Sequence, residues 1–103
     1  MSHRVTVYCS ACNSPKYSRQ TASGSVATAG YTVAVHRDFY KKNKGRRILL
    51  EIHNEQREKL MPYIQDIHGN SPDVIDIYIG ERDVCDCVHH PWSGKRCSFR
   101  FLD

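Results

Sequence analysis

The 103-residue chain is poor in the features that would place it in a membrane or a secretory route. No window offers the roughly 18 consecutive apolar residues of a spanning helix. Met1-Ser2-His3-Arg4 leads directly into an alternating segment. It lacks the apolar stretch of about 7–15 residues that marks an export signal. Synthesis in the cytoplasm is therefore expected, unless the chain is a trimmed mature form. Action outside the cell would then need another factor to carry or release it. No internal period is visible, which excludes repeat arrays and solenoids. There is one Trp, and there are two Met and four Pro. A length of 103 residues predicts a single domain over 1–103.

The chain is richer in Cys (five), His (six) and Tyr (six). Lys and Arg outnumber Asp and Glu by 15 to 11, a net charge of +4. That excess suits a polyanionic partner such as nucleic acid, an anionic membrane face or a bacterial wall. The basic runs Lys41-Lys42-Asn43-Lys44 and Arg46-Arg47 flank Gly45 and read as a solvated hairpin tip. Aromatics do not interleave with the basic residues as a base-stacking platform would require, which argues against nucleic acid.

Cys9 and Cys12 form a C-x-x-C pair, Cys85 and Cys87 form C-x-C, and Cys97 stands apart. An odd count argues against a fully paired disulfide framework. A structural zinc site could draw four ligands from Cys9, Cys12, Cys85, Cys87, Cys97, His89 and His90, because zinc favours thiolate and imidazole at such spacings. The C-x-C half fits a zinc knuckle poorly, so buried thiols and one or two disulfides stay open as alternatives.

Alternation of apolar and polar residues predicts strands over 4–9, 30–35, 46–52, 61–67, 74–79 and 97–102. Residues 10–24 are polar and read as a loop. The segment 53–60, with Asn54 as an N-cap, predicts one or two helical turns, and 81–88 a short helix. The pattern is that of a mainly β barrel or sandwich with one or two short helices.

Asp76 is the most informative position. It lies among Val74, Ile75, Ile77, Tyr78 and Ile79. Desolvation there would raise its pKa, as a general acid near neutral pH requires. The competing reading is that the strand's period of two points Asp76 to water. Asp66 precedes a turn, where Asp commonly accepts backbone N–H bonds. His36 and Asp38 follow the second strand. Thr21-Ala22-Ser23-Gly24 reads as a small polar turn.

The order of these segments resembles the 3D (three-aspartate) domain of the six-stranded double-psi β-barrel superfamily. Arg4-Val5-Thr6-Val7-Tyr8 is similar to that family's opening strand, and Thr21-Ala22-Ser23-Gly24 to its Thr-Ala-Ser-Gly turn. Tyr31-Thr32-Val33-Ala34-Val35 is similar to the strand that ends in the first aspartate. Gln65-Asp66 with Gly69 is similar to the Asp-Thr-Gly-Gly turn, and Asp73-Val74-Ile75-Asp76-Ile77-Tyr78 to the last aspartate strand. The resemblance covers residues 4 to 80. The chain departs from the pattern at His36, which replaces the first aspartate with Asp38 two residues on. It departs also in an insertion over 53–60 and a Cys/His-rich segment over 84–97.

The resemblance implies carbohydrate chemistry, as in the barrels of membrane-bound lytic transglycosylase A, rare-lipoprotein-A-like proteins and expansins. It implies that Asp76 protonates the glycosidic oxygen and that Asp66 supports it by like-charge repulsion. Thr21 or Ser23 would hydrogen-bond the acid or the sugar. Tyr8 and Tyr78 would stack on sugar rings, and His36 and Asp38 would lie along the substrate groove. The expected activity is a lytic transglycosylase or muramidase acting on the β-1,4 bond between N-acetylmuramic acid and N-acetylglucosamine. The expected protein is a monomer of phage-endolysin type or part of a particle, with no catalytic cofactor and peptidoglycan or a related glycan as partner. Two alternatives come from other classes: a non-catalytic, expansin-like glycan-binding barrel, and a zinc-stabilised binding module.

Overall fold

A computed structural model describes residues 3–103. In chain order its elements are β1 (His3–Tyr8), β2 (Thr32–His36), α1 (Arg37–Asn43), β3 (Ile48–Ile52), β4 (Lys59–Leu60), β5 (Tyr63–His68), β6 (Val74–Tyr78) and β7 (Arg96–Phe101). Short 3-10 turns lie at Ser10–Cys12 and Cys87–His89. The strands build one mixed seven-stranded sheet in the order β4-β3-β7-β1-β6-β2-β5. The fold is mainly β, with a single α-helix among the described residues. The edge strands β4 and β5 are not paired with each other. A lone bridge between Arg47 and Tyr63 brings the start of β5 beside the start of β3, as do bonds from Ile64 N–H to the Arg46 carbonyl (2.9 Å) and from Ile48 N–H to the Pro62 carbonyl (3.0 Å).

Register decides which residues meet. β6 is central, parallel to β1 and antiparallel to β2. Val5 pairs with Ile75 and Val7 with Ile77, and these face the main core with Val33, Val35, Leu50 and Ile64. The opposite face carries Thr6, Tyr8, Ala34, Asp76 and Tyr78, because side chains alternate along each strand. β6 reads as a nearly unbroken apolar run because both its faces are covered; only Asp76 in it is half-buried. Ile77 is fully buried at the centre of the main core. Ile77→Ala should therefore cost about 2–5 kcal/mol in urea unfolding, from lost transfer energy plus a cavity that a packed sheet cannot close.

Three local expectations are corrected. Residues 41–44 are not a hairpin tip but the end of α1 and the residue after it. The helix starts where His36 Nδ1 accepts from Asp38 N–H (3.3 Å), places Lys41 and Lys42 in its favourable last turn, and stops before Gly45, whose φ of 80° no side-chain-bearing residue adopts cheaply. Seven residues are too few to show a helical period. The segment 53–60 is not helical: Asn54 Oδ1 accepts from Glu58 N–H (3.2 Å), closing a loop that ends in β4. The segment 81–88 forms no α-helix either: its backbone bends at residues 83–84, is tied to Ser10 by Arg82 N–H, and leads into the 3-10 turn at Cys87–His89. The two segments outside the family resemblance meet each other, because Trp92 Nε1 donates to Glu58 Oε2.

Candidate functional site

One row of side chains crosses four strands. Asp66 on β5 and Asp76 on β6 both pair with Ala34 on β2, and Asp76 pairs with Thr6 on β1. With strands 4.7–4.9 Å apart, the two aspartate backbones stand about 10 Å from each other, across a residue that has only a methyl group. A bulge produces this arrangement. Val33 pairs with Ile64 but Ala34 with Asp66, so Gln65 is an extra residue in β5. Without it Gln65 would face Ala34, and Asp66 would turn to the core side. Gln65 is held by Thr32, whose hydroxyl donates to its Oε1 (2.7 Å).

Asp76 is half-buried, and its Oδ1 accepts from the Thr6 hydroxyl (2.8 Å). Burial raises its carboxyl pKa from 3.8 to about 6. The Thr6 hydrogen bond acts in the opposite direction, while the charge of Asp66 adds to the rise. The expected repulsion by Asp66 thus has the right sign, but burial is the leading cause. Asp76 is not turned out to water: it is half-buried, and burial raises its carboxyl pKa, the direction expected from its apolar neighbours.

Asp66 is an anchor. Its Oδ1 accepts from Ala22 N–H (3.0 Å) and Ile67 N–H (2.9 Å), and its Oδ2 from the Tyr8 hydroxyl (3.1 Å). It therefore fastens the 21–24 turn to β5, helped by Ser23 N–H on the Gln65 carbonyl (3.1 Å). Burial, and next the Asp66 charge, push the Tyr8 phenol well above its ordinary pKa and keep it a donor.

The remaining expected site residues take other places. Thr21 is buried, and its hydroxyl engages Ser23 Oγ (2.8 Å) and Ser25 Oγ (2.9 Å) within the turn; the acid's hydroxyl partner is Thr6. Tyr8 and Tyr78 are buried and pack edge to face at 5.2 Å, so neither ring presents a free face to a sugar. His36 pairs in register with His68, and both line a cleft of about 420 Å³ with Arg37, Asp38, Ile67 and Gly69. The cleft begins one residue from Asp66. His36 spends Nδ1 on capping α1, and Asp38 is exposed on that helix. His68 is buried; its Nε2–H donates to the Val74 carbonyl (2.6 Å) and its Nδ1 accepts from Asn70 N–H (3.0 Å), which fixes the tautomer. Thr6, His68 and Ala34 were missed from the sequence, because only the strand register makes them neighbours of the carboxylates.

A second constellation lies beyond the end of β1. The sulfurs of Cys9, Cys12, Cys85 and Cys87 lie within 4.8 Å of one another, an arrangement that could hold a metal ion. Cys12 and Cys85 are joined as a disulfide, and Cys9 and Cys87 are free, buried thiols. Burial, then Cys9 beside it, pushes the Cys87 thiol up to about 12. Cys97 does not join the cluster: it is fully buried in β7, paired with His3 and Ile52. His89 and His90 are not part of it either. No family model matches this chain, and no curated protein matches it in sequence.

Proposed function

We propose that the protein is a peptidoglycan-cleaving enzyme of lytic-transglycosylase type, built on a double-psi β-barrel of the three-aspartate kind. The observation that carries the reading is the polar row Asp66–Ala34–Asp76–Thr6, with a half-buried carboxyl whose pKa lies near 6. The parallel β1–β6 and β2–β5 pairs and the Arg47–Tyr63 bridge support the barrel.

In this mechanism protonated Asp76 gives its hydrogen to the glycosidic oxygen as the bond to C1 of N-acetylmuramic acid breaks. The resulting carboxylate then takes the proton from the C6 hydroxyl of that sugar as its oxygen bonds to C1. The products are a free 4-hydroxyl on N-acetylglucosamine and a 1,6-anhydro end, and Asp76 is again protonated. A muramidase would need a second free carboxylate. Asp66 is occupied by three donors, so the one-carboxylate route is the better fit. Asp66 acts as a positioning residue, and the cleft at His36, Arg37 and Asp38 offers room for the glycan beside it. The net charge of +4 favours residence on an anionic wall. The metal in this reading is a structural zinc at the four-cysteine cluster, outside the sugar chemistry.

Incubation with purified sacculi should release anhydromuropeptides detectable by mass spectrometry. Because the acid must be protonated, the rate should fall about tenfold per pH unit above pH 6. Reducing ends in place of anhydro ends would make it a hydrolase. One observation favours a second reading: the first-aspartate position holds His36, committed to a helix cap. If sacculi pull the protein down but their muropeptide profile stays unchanged, the expansin-like, non-catalytic reading replaces the first.

A further inference from the structure

Two turns far apart in sequence bring four sulfurs to one point. The first is the 3-10 turn closed by Cys12 N–H on the Cys9 carbonyl (3.0 Å). The second is the turn at Cys87–His89, closed by His90 N–H on the Cys87 carbonyl (3.0 Å). Cys9 Sγ and Cys12 Sγ are 3.5 Å apart, and Cys12 Sγ and Cys87 Sγ 3.6 Å. A tetrahedral tetrathiolate with zinc–sulfur bonds of about 2.3 Å has edges of about 3.8 Å, so these separations are those of ligands around one ion. The disulfide uses only two of the four sulfurs. It leaves two buried thiols facing it, which a cross-link does not require.

We propose that in the reduced chain Cys9, Cys12, Cys85 and Cys87 bind one Zn²⁺ as a tetrahedral tetrathiolate, and that this centre and the Cys12–Cys85 disulfide are alternative states of the same sulfurs. This deepens the zinc reading above and is independent of the sugar chemistry. A dithiol reductant cleaves the Cys12–Cys85 bond, is itself oxidised to its disulfide, and passes its two hydrogens to the two sulfurs. Zinc then displaces four protons as four S–H groups become four Zn–S bonds. Zinc is favoured by the all-sulfur set, and the close spacing leaves room for a single ion. Either state ties the exposed 81–86 segment to the loop after β1. The other ties between them lie at the surface or are long: Arg82 N–H on Ser10 Oγ (3.1 Å), the Ser10 hydroxyl on the Arg82 carbonyl (3.5 Å), the Tyr17 hydroxyl on the Asp83 carbonyl (3.1 Å), the Cys9 thiol on the Val84 carbonyl (3.9 Å) and the exposed Arg19–Glu81 ion pair (2.9 Å). The centre therefore clamps the loop that leads into the 21–24 turn holding Asp66.

The full chain, reduced with dithiothreitol and kept anaerobic, should take up one Zn²⁺ per chain by elemental analysis. With Co²⁺ it should show the intense d–d bands of a tetrahedral thiolate site. The disulfide form should take up none. Cys97→Ser should leave the stoichiometry at one. Cys87→Ser and, at an exposed position that does not endanger folding, Cys85→Ser should weaken zinc binding more than about tenfold, the loss that even outer-shell changes cause. A reduced chain that binds neither metal overturns the proposal, as does a Cys97→Ser loss equal to that of Cys85→Ser. Metal uptake without muropeptide release would overturn the glycan-cleavage reading alone, and cleavage by a chain that takes no metal would overturn only this one.

Discussion

Asp76→Asn is expected to lower muropeptide release by roughly 10²–10⁴-fold, the usual contribution of a positioned general acid. The same variant should be more stable than the parent at neutral pH. The fold raises the Asp76 carboxyl from 3.8 to about 6, so the native state holds that proton more tightly than the unfolded chain. The cost of ionising it in the fold is absent below pH 4, grows between 4 and 6, and is complete above 6. At about 1.4 kcal/mol per unit, that cost is on the order of 2–3 kcal/mol. A neutral amide avoids it and can still accept from Thr6. The melting temperature of Asp76→Asn should therefore exceed the parent's by several degrees at pH 7.5, and the advantage should vanish by pH 4. An active variant, or one equally destabilised at both pH values, would show that Asp76 is not the buried acid.

The second large effect is expected at Asp66. Asp66→Ala removes the acceptor for Ala22 N–H, Ile67 N–H and the Tyr8 hydroxyl at once. Leaving the buried Tyr8 hydroxyl without a partner costs about 1–3 kcal/mol by itself. The total should reach about 2–4 kcal/mol, read as a fall in melting temperature and faster proteolysis within residues 13–25. Asp66→Asn keeps an acceptor for the two backbone donors and should lose about half as much. If Asp66→Asn abolishes cleavage while its stability stays near the parent's, Asp66 touches the reacting sugar and is more than an anchor.

Which parts of this were legible in the sequence follows from the range of the forces involved. Alternation over 4–9, 46–52 and 97–102 exposed β1, β3 and β7, because a period of two is a local property of a half-buried strand. α1 was hidden because its start rests on a His36 side-chain cap and its face on Phe39 and Tyr40, within seven residues. The Asn54 loop and the 81–88 segment were misread as helical because partners that hold them, Trp92 and Ser10, are distant in the chain.

Residue types alone marked Asp76 as a carboxyl in apolar company and left the cysteines open between zinc ligands, buried thiols and disulfides. Tertiary structure decided the rest. The Gln65 bulge turned Asp66 to the same face as Asp76, register supplied Thr6 and Ala34, and burial took Tyr8 and Tyr78 away from solvent. It also chose four of the five cysteines and left Cys97 in the core. Composition and periodicity act over a few residues, whereas the pairing of strands up to 94 positions apart (His3 with Cys97) is settled only when the whole sheet assembles.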